Sequence, residues 1–240
     1  MIDKNSPLPI YAQLEEQIKE RIESGNLKPG DGLPSEREYC ERYGISRMTV
    51  RQAINNLVND GYLRREKGKG TYVAEKKLEQ QLQGLTSFTE DMKARGMEPS
   101  STLLHFEIVP APESIAQLLS VGQHEPVYRI RRIRLADGKP MALETSHIPA
   151  NLVPGLTPDI VAGSLYQYIE ERLRYPIDHS NQVIESAAAG EMESRHLSIP
   201  AGCPILLIQR DTFLKDGTPI ETVKSAYRAD RYKFVTTIRR

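Results

Sequence analysis

Two groups of residues carry most of the chemistry that this 240-residue sequence offers. In "SRMTVRQAINNLVNDGYL", residues 46–63, Arg47 and Arg51 stand four apart with Thr49, Gln52 and Asn55 around them, and from Tyr43 to Asn59 there is no acidic side chain. A guanidinium can fork onto O6 and N7 of guanine, while hydroxyls and amides reach other base edges or phosphates. A carboxylate on such a face would be repelled by the duplex backbone. The second group starts in "VYRIRRIRL". Strand alternation puts Tyr128, Ile130, Arg132 and Arg134 on one face and Val127, Arg129, Arg131, Ile133 and Leu135 on the other. Neither face is free of arginine, so one pair is expected to meet an anion. Glu144 and Ser146 alternate with apolar neighbours further on, and Glu221 shares a face with Val223, Ser225 and Tyr227, which suits hydroxyl recognition inside a pocket. Ser87 with Glu90, and Ser164 with Tyr166 close behind, mark two helix starts whose backbone N–H groups can hold a phosphate or serve as ordinary caps.

These residues need elements to position them. Ile10, Leu14, Ile18 and Ile22 recur at helical spacing up to Gly25. A Pro- and Gly-rich loop follows, and Ser35 with Glu38 forms a capping box for a short helix that stops at Gly44. Ser46 caps a third helix, with Val50, Ala53, Ile54, Leu57 and Val58 on its apolar side and Met48, Thr49, Gln52, Asn55, Asn56 and Asn59 on its polar side. "YLRREKGKGTYVA" reads as two short strands around a Lys-Gly-Lys-Gly turn. Helix, turn, polar helix and hairpin is the arrangement that enters a major groove. Between residues 37 and 73 eight basic residues face four acidic ones, a local excess in a chain whose 32 basic and 32 acidic residues otherwise cancel. Lys67 and Lys69 at the hairpin tip are expected along the minor groove or its phosphates, where glycine lets the backbone approach.

The polar stretch 75–85 reads as a connector, which divides the chain into residues 1–74, a linker at 75–85 and a second domain over 86–240. In that second domain helices are expected near 87–95, 112–120 and 164–173, a strand near 101–109 and a long hairpin over 126–148, with strand, short helix and another long hairpin to follow. The two hairpins turn on related letters, "RLADGKPMALETSHI" and "FLKDGTPIETVKSAY", from duplication or from shared turn chemistry. The fold class is α+β around an antiparallel sheet. Cys40 and Cys203 are too few for a disulfide framework, and no run reaches the apolar length of a membrane span or a signal-peptide core. A soluble cytoplasmic protein is expected. No phosphate-binding glycine loop, nucleophile elbow or metal-ligand spacing occurs, so no catalytic residue, metal or cofactor is assigned.

"PIYAQL", "LPSERE", "GISRMTVRQAINNLVNDGYL" and "KGKGTYV" together resemble the winged-helix domain of the GntR family of bacterial regulators. The resemblance places Arg37, Ser46, Arg47, Thr49, Arg51 and Gly68 with its wing neighbours at the DNA. "GLTSFTEDMKARGM", "RIRLADGKPMALETSHIP" and "YRADRYKF" resemble the chorismate-lyase-like (UTRA) effector domain of the HutC branch, so the likeness covers nearly the whole chain. More narrowly it is similar to that branch's repressors of amino-sugar utilisation. That implies a homodimer on a pseudo-palindromic double-stranded operator, released by glucosamine 6-phosphate or its N-acetyl form. By that likeness Arg132, Arg134, Ser164, Tyr166 and the backbone at Phe88 and Thr89 hold the phosphate, and Glu144, Glu221 and Tyr227 hold the sugar. Two rivals fit the same residues: the same scaffold answering to another metabolite, and a lyase-like enzyme fused to a DNA-binding domain with Glu144 and Glu221 as its acid–base pair.

Overall fold

The computed structural model describes every residue except Met1, Asn5, Lys67, Lys76, Gln83, Arg239 and Arg240. Lys67, expected at the hairpin tip, thus lies outside the described residues. The chain divides into two units, Met1–Leu78 and Glu79–Arg240.

In the first unit α1 (Ile10–Glu23), α2 (Glu36–Tyr43) and α3 (Arg47–Asn59) precede a hairpin of β1 (Leu63–Glu66) and β2 (Gly70–Val73). Ser35 caps α2 through the expected box: its Oγ accepts from Glu38 N at 3.2 Å, and its own N–H donates to Glu38 Oε2 at 2.7 Å. Gly44 ends α2 at φ 59°, the left-handed conformation that glycine adopts without penalty. Ser46 then accepts from Thr49 N at 3.1 Å to start α3. Leu14 and Ile18 of α1, Tyr39 of α2 and Val50, Ala53, Ile54 and Leu57 of α3 close one core with Leu63 and Val73 of the hairpin. Leu33 N donates to Thr71 O at 2.8 Å, tying the loop before α2 to the hairpin edge.

The second unit is built on a six-stranded antiparallel sheet in the order β4-β5-β6-β9-β8-β7. Its strands are β4 (Pro99–Pro110), β5 (Pro126–Ala136), β6 (Lys139–Pro149), β7 (Ile177–Ala188), β8 (Pro204–Leu214) and β9 (Pro219–Arg228). Helices α5 (Glu113–Leu119) and α8 (Glu191–Leu197) fall between the first two strands of each half. Pro99 and Ile177, Glu113 and Glu191, and Pro126 and Pro204 begin corresponding elements 78 residues apart. The similar hairpin lettering therefore belongs to a repeat of the unit strand, helix, hairpin, with β6 and β9 side by side at its centre.

The two hairpins nevertheless turn differently. Asp137 (φ 49°) and Gly138 (φ 70°) make a two-residue turn of the mirror-image type that matches strand twist. In the second hairpin Leu214 N bonds Thr218 O at 2.9 Å and Gly217 N bonds Leu214 O at 2.9 Å, a three-residue loop with only Gly217 at positive φ.

Three expectations need correction. Residues 78–81, read as connector, form β3 (Leu78–Gln81), which pairs with β10 (Tyr232–Val235). The helix expected over 164–173 is a short α7 (Leu165–Gln167), preceded by α6 (Pro158–Ala162) and followed by a π-helical turn, Tyr168–Arg172. Asn56, assigned to the polar face of α3, instead donates to Glu15 Oε1 of α1 at 2.7 Å.

Candidate functional site

The exposed face of α3 presents Arg47, Met48, Arg51, Gln52 and Asn55, and Thr49 is half-buried beneath them. Arg37 lies exposed on α2, paired with Glu41 at 2.7 Å. Lys69 and Gly68 lie exposed at the hairpin tip, with Lys69 Nζ 3.5 Å from Glu66. Ser46 keeps two partners, Thr49 N and the Thr49 hydroxyl at 2.8 Å, so capping and hydroxyl presentation come from one residue. The acid-free stretch of sequence does not make an acid-free surface. Glu36, in the first turn of α2, accepts from Arg47 Nε at 3.1 Å, Arg51 Nη2 at 3.1 Å and Arg65 Nη2 at 3.4 Å. The Arg51 bond first, and the Arg47 bond after it, hold the Glu36 carboxyl below the usual carboxylate range despite its partial burial.

In the second unit all nine expected effector residues, Phe88, Thr89, Arg132, Arg134, Glu144, Ser164, Tyr166, Glu221 and Tyr227, line one cleft of about 530 Å³ including its open mouth. The floor is the sheet. Arg132 and Arg134 on β5, Glu144 on β6 and Glu221, Val223, Ser225 and Tyr227 on β9 project to the same face, because β5 pairs with β6 at Arg132↔Glu144 and β6 with β9 at Glu144↔Ser225. The walls are helix starts. Ser87 caps α4 (Phe88–Ala94) through a box with Glu90, and Ser164 Oγ accepts from Gln167 N at 3.3 Å at the head of α7.

The electrostatics of the cleft are unbalanced. Glu144 is bonded by Arg132 Nε, and Arg134 Nη1 stands 3.9 Å away. Burial pushes the Glu144 carboxyl up, but Arg132 and then Arg134 outweigh it and hold the group below its usual range. Glu221 moves the other way, raised by burial and then by Glu144, so it favours the neutral acid. Burial lowers the Arg134 guanidinium to about 10, and its Nε, wholly buried, has no hydrogen-bond partner among the described residues. The remaining Arg134 contacts are Nη2 to Thr89 Oγ1 at 2.9 Å and Nη1 to Gly163 O at 3.5 Å, with the Phe88 ring 4.7 Å from its Cζ. Tyr227 is pushed up to about 12 by burial, so its hydroxyl stays protonated and able to donate.

A third arginine escaped the reading of the sequence. Arg210 on β8 lines the cleft, donates to Gln182 Oε1 at 2.7 and 2.9 Å and reaches Thr86 O at 3.4 Å. It lies 78 residues after Arg132, the offset of the structural repeat, and that spacing would have found it. Ser225 also lines the cleft, directly across from Glu144. Three guanidiniums, Arg132, Arg134 and Arg210, thus face two carboxylates, Glu144 and Glu221, an excess that an anion would neutralise.

Residues 10–73 match the bacterial regulatory proteins of the gntR family, and residues 94–233 match the UTRA domain. The chain is 50% identical over 234 residues to the HTH-type transcriptional repressor NagR of Bacillus subtilis, covering 98% of this chain and 96% of that protein. The chain belongs to the GntR family, in its UTRA-bearing HutC branch. This GntR regulator is also 38% identical to the mannosyl-D-glycerate transport/metabolism system repressor MngR of Escherichia coli, over 97% of each chain. Among solved structures, PhnF from Mycobacterium smegmatis superposes with a TM-score of 0.67 at 33% identity, covering 95% of this chain and 98% of that one. No described helix is long and apolar enough to cross a membrane.

Proposed function

We propose that this regulator is a homodimeric cytoplasmic repressor of amino-sugar utilisation genes, released from a pseudo-palindromic operator by glucosamine 6-phosphate or N-acetylglucosamine 6-phosphate. The single observation that carries the ligand class is the buried arginine pair. Arg132 and Arg134 share one carboxylate, and the buried Nε of Arg134 has no acceptor among the described residues. A phosphate supplies charge and acceptors together, and charge-assisted bonds of this kind are the strong ones. Glu144, Glu221 and Tyr227 line the same cleft, and to them we assign the hydroxyls and the amino or acetamido group of the sugar. The resemblance of the sequence to repressors of amino-sugar utilisation, alongside half identity to the repressor NagR over almost the full chain, supports the amino sugar over other phosphates.

On the DNA side, Arg37, Ser46, Arg47, Thr49, Arg51, Gln52, Gly68 and Lys69 form the contact surface, with α3 in the major groove and the hairpin tip along the backbone. Residues 1–74 act as the DNA-binding domain and residues 86–240 as the effector domain. Release follows if the effector prefers the DNA-incompetent arrangement; swinging a two-state balance from one extreme to the other takes about 5.5 kcal/mol of such preference. Catalysis has no part in this scheme, and the relatives above are named regulators.

A direct test is calorimetric titration of the purified protein with glucosamine 6-phosphate, N-acetylglucosamine 6-phosphate, glucosamine and glucose 6-phosphate. Binding only of the phosphorylated amino sugars supports the assignment. Equal binding of glucosamine removes the phosphate from it, and equal binding of glucose 6-phosphate removes the amino group. Mass analysis after incubation should return the ligands unchanged.

A further inference from the structure

The Glu36 carboxylate sits where the surface chemistry argues against it. The face built by α3 and the hairpin has to approach polyanionic phosphate, and every fixed negative charge there costs affinity. Glu36 is nevertheless at its centre, with only 20% of its side chain exposed, while its partners Arg47, Arg51 and Arg65 keep 72%, 44% and 43% exposed. Those arginines come from two elements, the first and second turns of α3 and strand β1. One carboxylate from α2 thus ties the recognition helix and the hairpin together.

We infer that Glu36 is a positioning residue for DNA recognition: it presets the Arg47 and Arg51 guanidiniums before the duplex arrives and withholds their charge from phosphates of indifferent sequence. An arginine free in solvent samples many rotamers and settles on the nearest phosphate of any duplex. Arg47, held by Nε alone, keeps both Nη groups for a bidentate bond to guanine, whereas Arg51, held through Nε and Nη2, keeps Nη1 for a phosphate or base edge. The cost falls on both bound forms, but a correct base repays it and a random one does not, so the carboxylate trades affinity for discrimination. Other acids of this unit are placed differently. Glu41 reaches Arg37 at 2.7 Å on its own helix, and Glu66 joins Arg64 and Lys69 within the hairpin. Neither bridges elements.

The inference rests on Arg47 and Arg51 facing the DNA. That reading fails separately, if Arg47→Ala and Arg51→Ala both leave operator binding unchanged. The test of Glu36 itself compares full-length wild type with Glu36→Gln on operator and random duplexes across a salt series. Glu20→Gln, on the exposed side of α1, serves as a control that removes the same unit of charge. Glu36→Gln should bind random duplex several-fold more tightly, with a salt slope steeper by about 0.9 for each winged helix engaged, as a freed arginine takes one more phosphate. Its preference for operator over random duplex should fall by about tenfold, and Glu20→Gln should change neither. In the DNA-free protein, slow guanidinium rotation at Arg47 and Arg51, seen by nitrogen-resolved magnetic resonance, should become fast in Glu36→Gln. An unchanged slope with affinity lost at a single base pair would make Glu36 a direct reader of cytosine and overturn the inference. So would fast guanidinium rotation in the wild-type protein.

Discussion

Arg132 and Arg134 stand two residues apart on one strand face, yet their replacement should separate stability from ligand binding. Arg132 is the main partner of Glu144 and also donates to Val161 O. Arg132→Met leaves Glu144 buried with only Arg134, 3.9 Å away, and an uncompensated buried charge of this kind costs about 3–5 kcal/mol. For a domain of this size that lowers the melting temperature by on the order of 10 °C. Arg134 is the opposite case. Burial depresses its guanidinium to about 10, well below the ordinary range, and a shift of that order holds the charged form in the cleft at a cost of about 3 kcal/mol. The sign follows from the direction: a base with a lowered folded-state value destabilises the fold at neutral pH, where it is charged in both states. Arg134→Met sheds that cost and loses the bonds to Thr89 and Gly163, so the ligand-free protein should melt within a few degrees of wild type or slightly above it. Effector affinity should fall about 13- to 150-fold, the worth of one charge-assisted bond of 1.5–3 kcal/mol. Differential scanning calorimetry with and without glucosamine 6-phosphate reads both quantities. A ligand-free melting temperature for Arg134→Met as low as that of Arg132→Met would refute the assignment of the structural bond to Arg132 and of the ligand-binding donor to Arg134.

Further outcomes follow from the same geometry. Glu221 has a raised folded-state value, so the folded form binds more protons than the unfolded one and stability falls as pH rises through and above the ordinary carboxylate value; Glu221→Gln should flatten that fall in denaturant titrations taken across the acid range. Ser46→Ala removes the cap on α3 and should cost about 1 kcal/mol in the unfolding of the first unit, with operator affinity lowered beyond what instability explains if the hydroxyl also meets DNA. Arg47→Ala should cost about 1–3 kcal/mol and relax preference at one base pair, whereas Lys69→Ala should weaken operator and random duplex alike and reduce the salt slope, both read by fluorescence anisotropy.

Local chemistry was legible in the sequence, and long-range pairing was not. The caps at Ser35, Ser46, Ser87 and Ser164 were readable because each bonds a backbone group three residues on. The arginine and glutamate alternation in β5 and β6 was readable because strand period is fixed, and it put Arg132, Arg134 and Glu144 in one cleft. Strand β3 was not: "LEQQ" has little strand propensity, and its partner β10 lies more than 150 residues later. The π-helical turn at Tyr168–Arg172 was also invisible, since periodicity cannot tell a wider helix from an α-helix over one turn. Glu36 shows the limit of counting charges along a segment. The stretch from Tyr43 to Asn59 is free of acids, but tertiary packing supplies one from the preceding helix. Arg210 reads as an ordinary strand residue until the 78-residue repeat pairs it with Arg132.

We propose that a phosphorylated amino sugar in the second unit governs the grip of the first on DNA. Operator affinity of the full-length protein, measured at fixed ionic strength with and without saturating glucosamine 6-phosphate, tests it most directly. Coupling free energies of 1–3 kcal/mol correspond to a weakening of about 5- to 150-fold, which Arg134→Met should shift to much higher effector concentrations. Operator affinity unchanged by the sugar phosphate, under conditions where calorimetry shows it bound, would contradict the account.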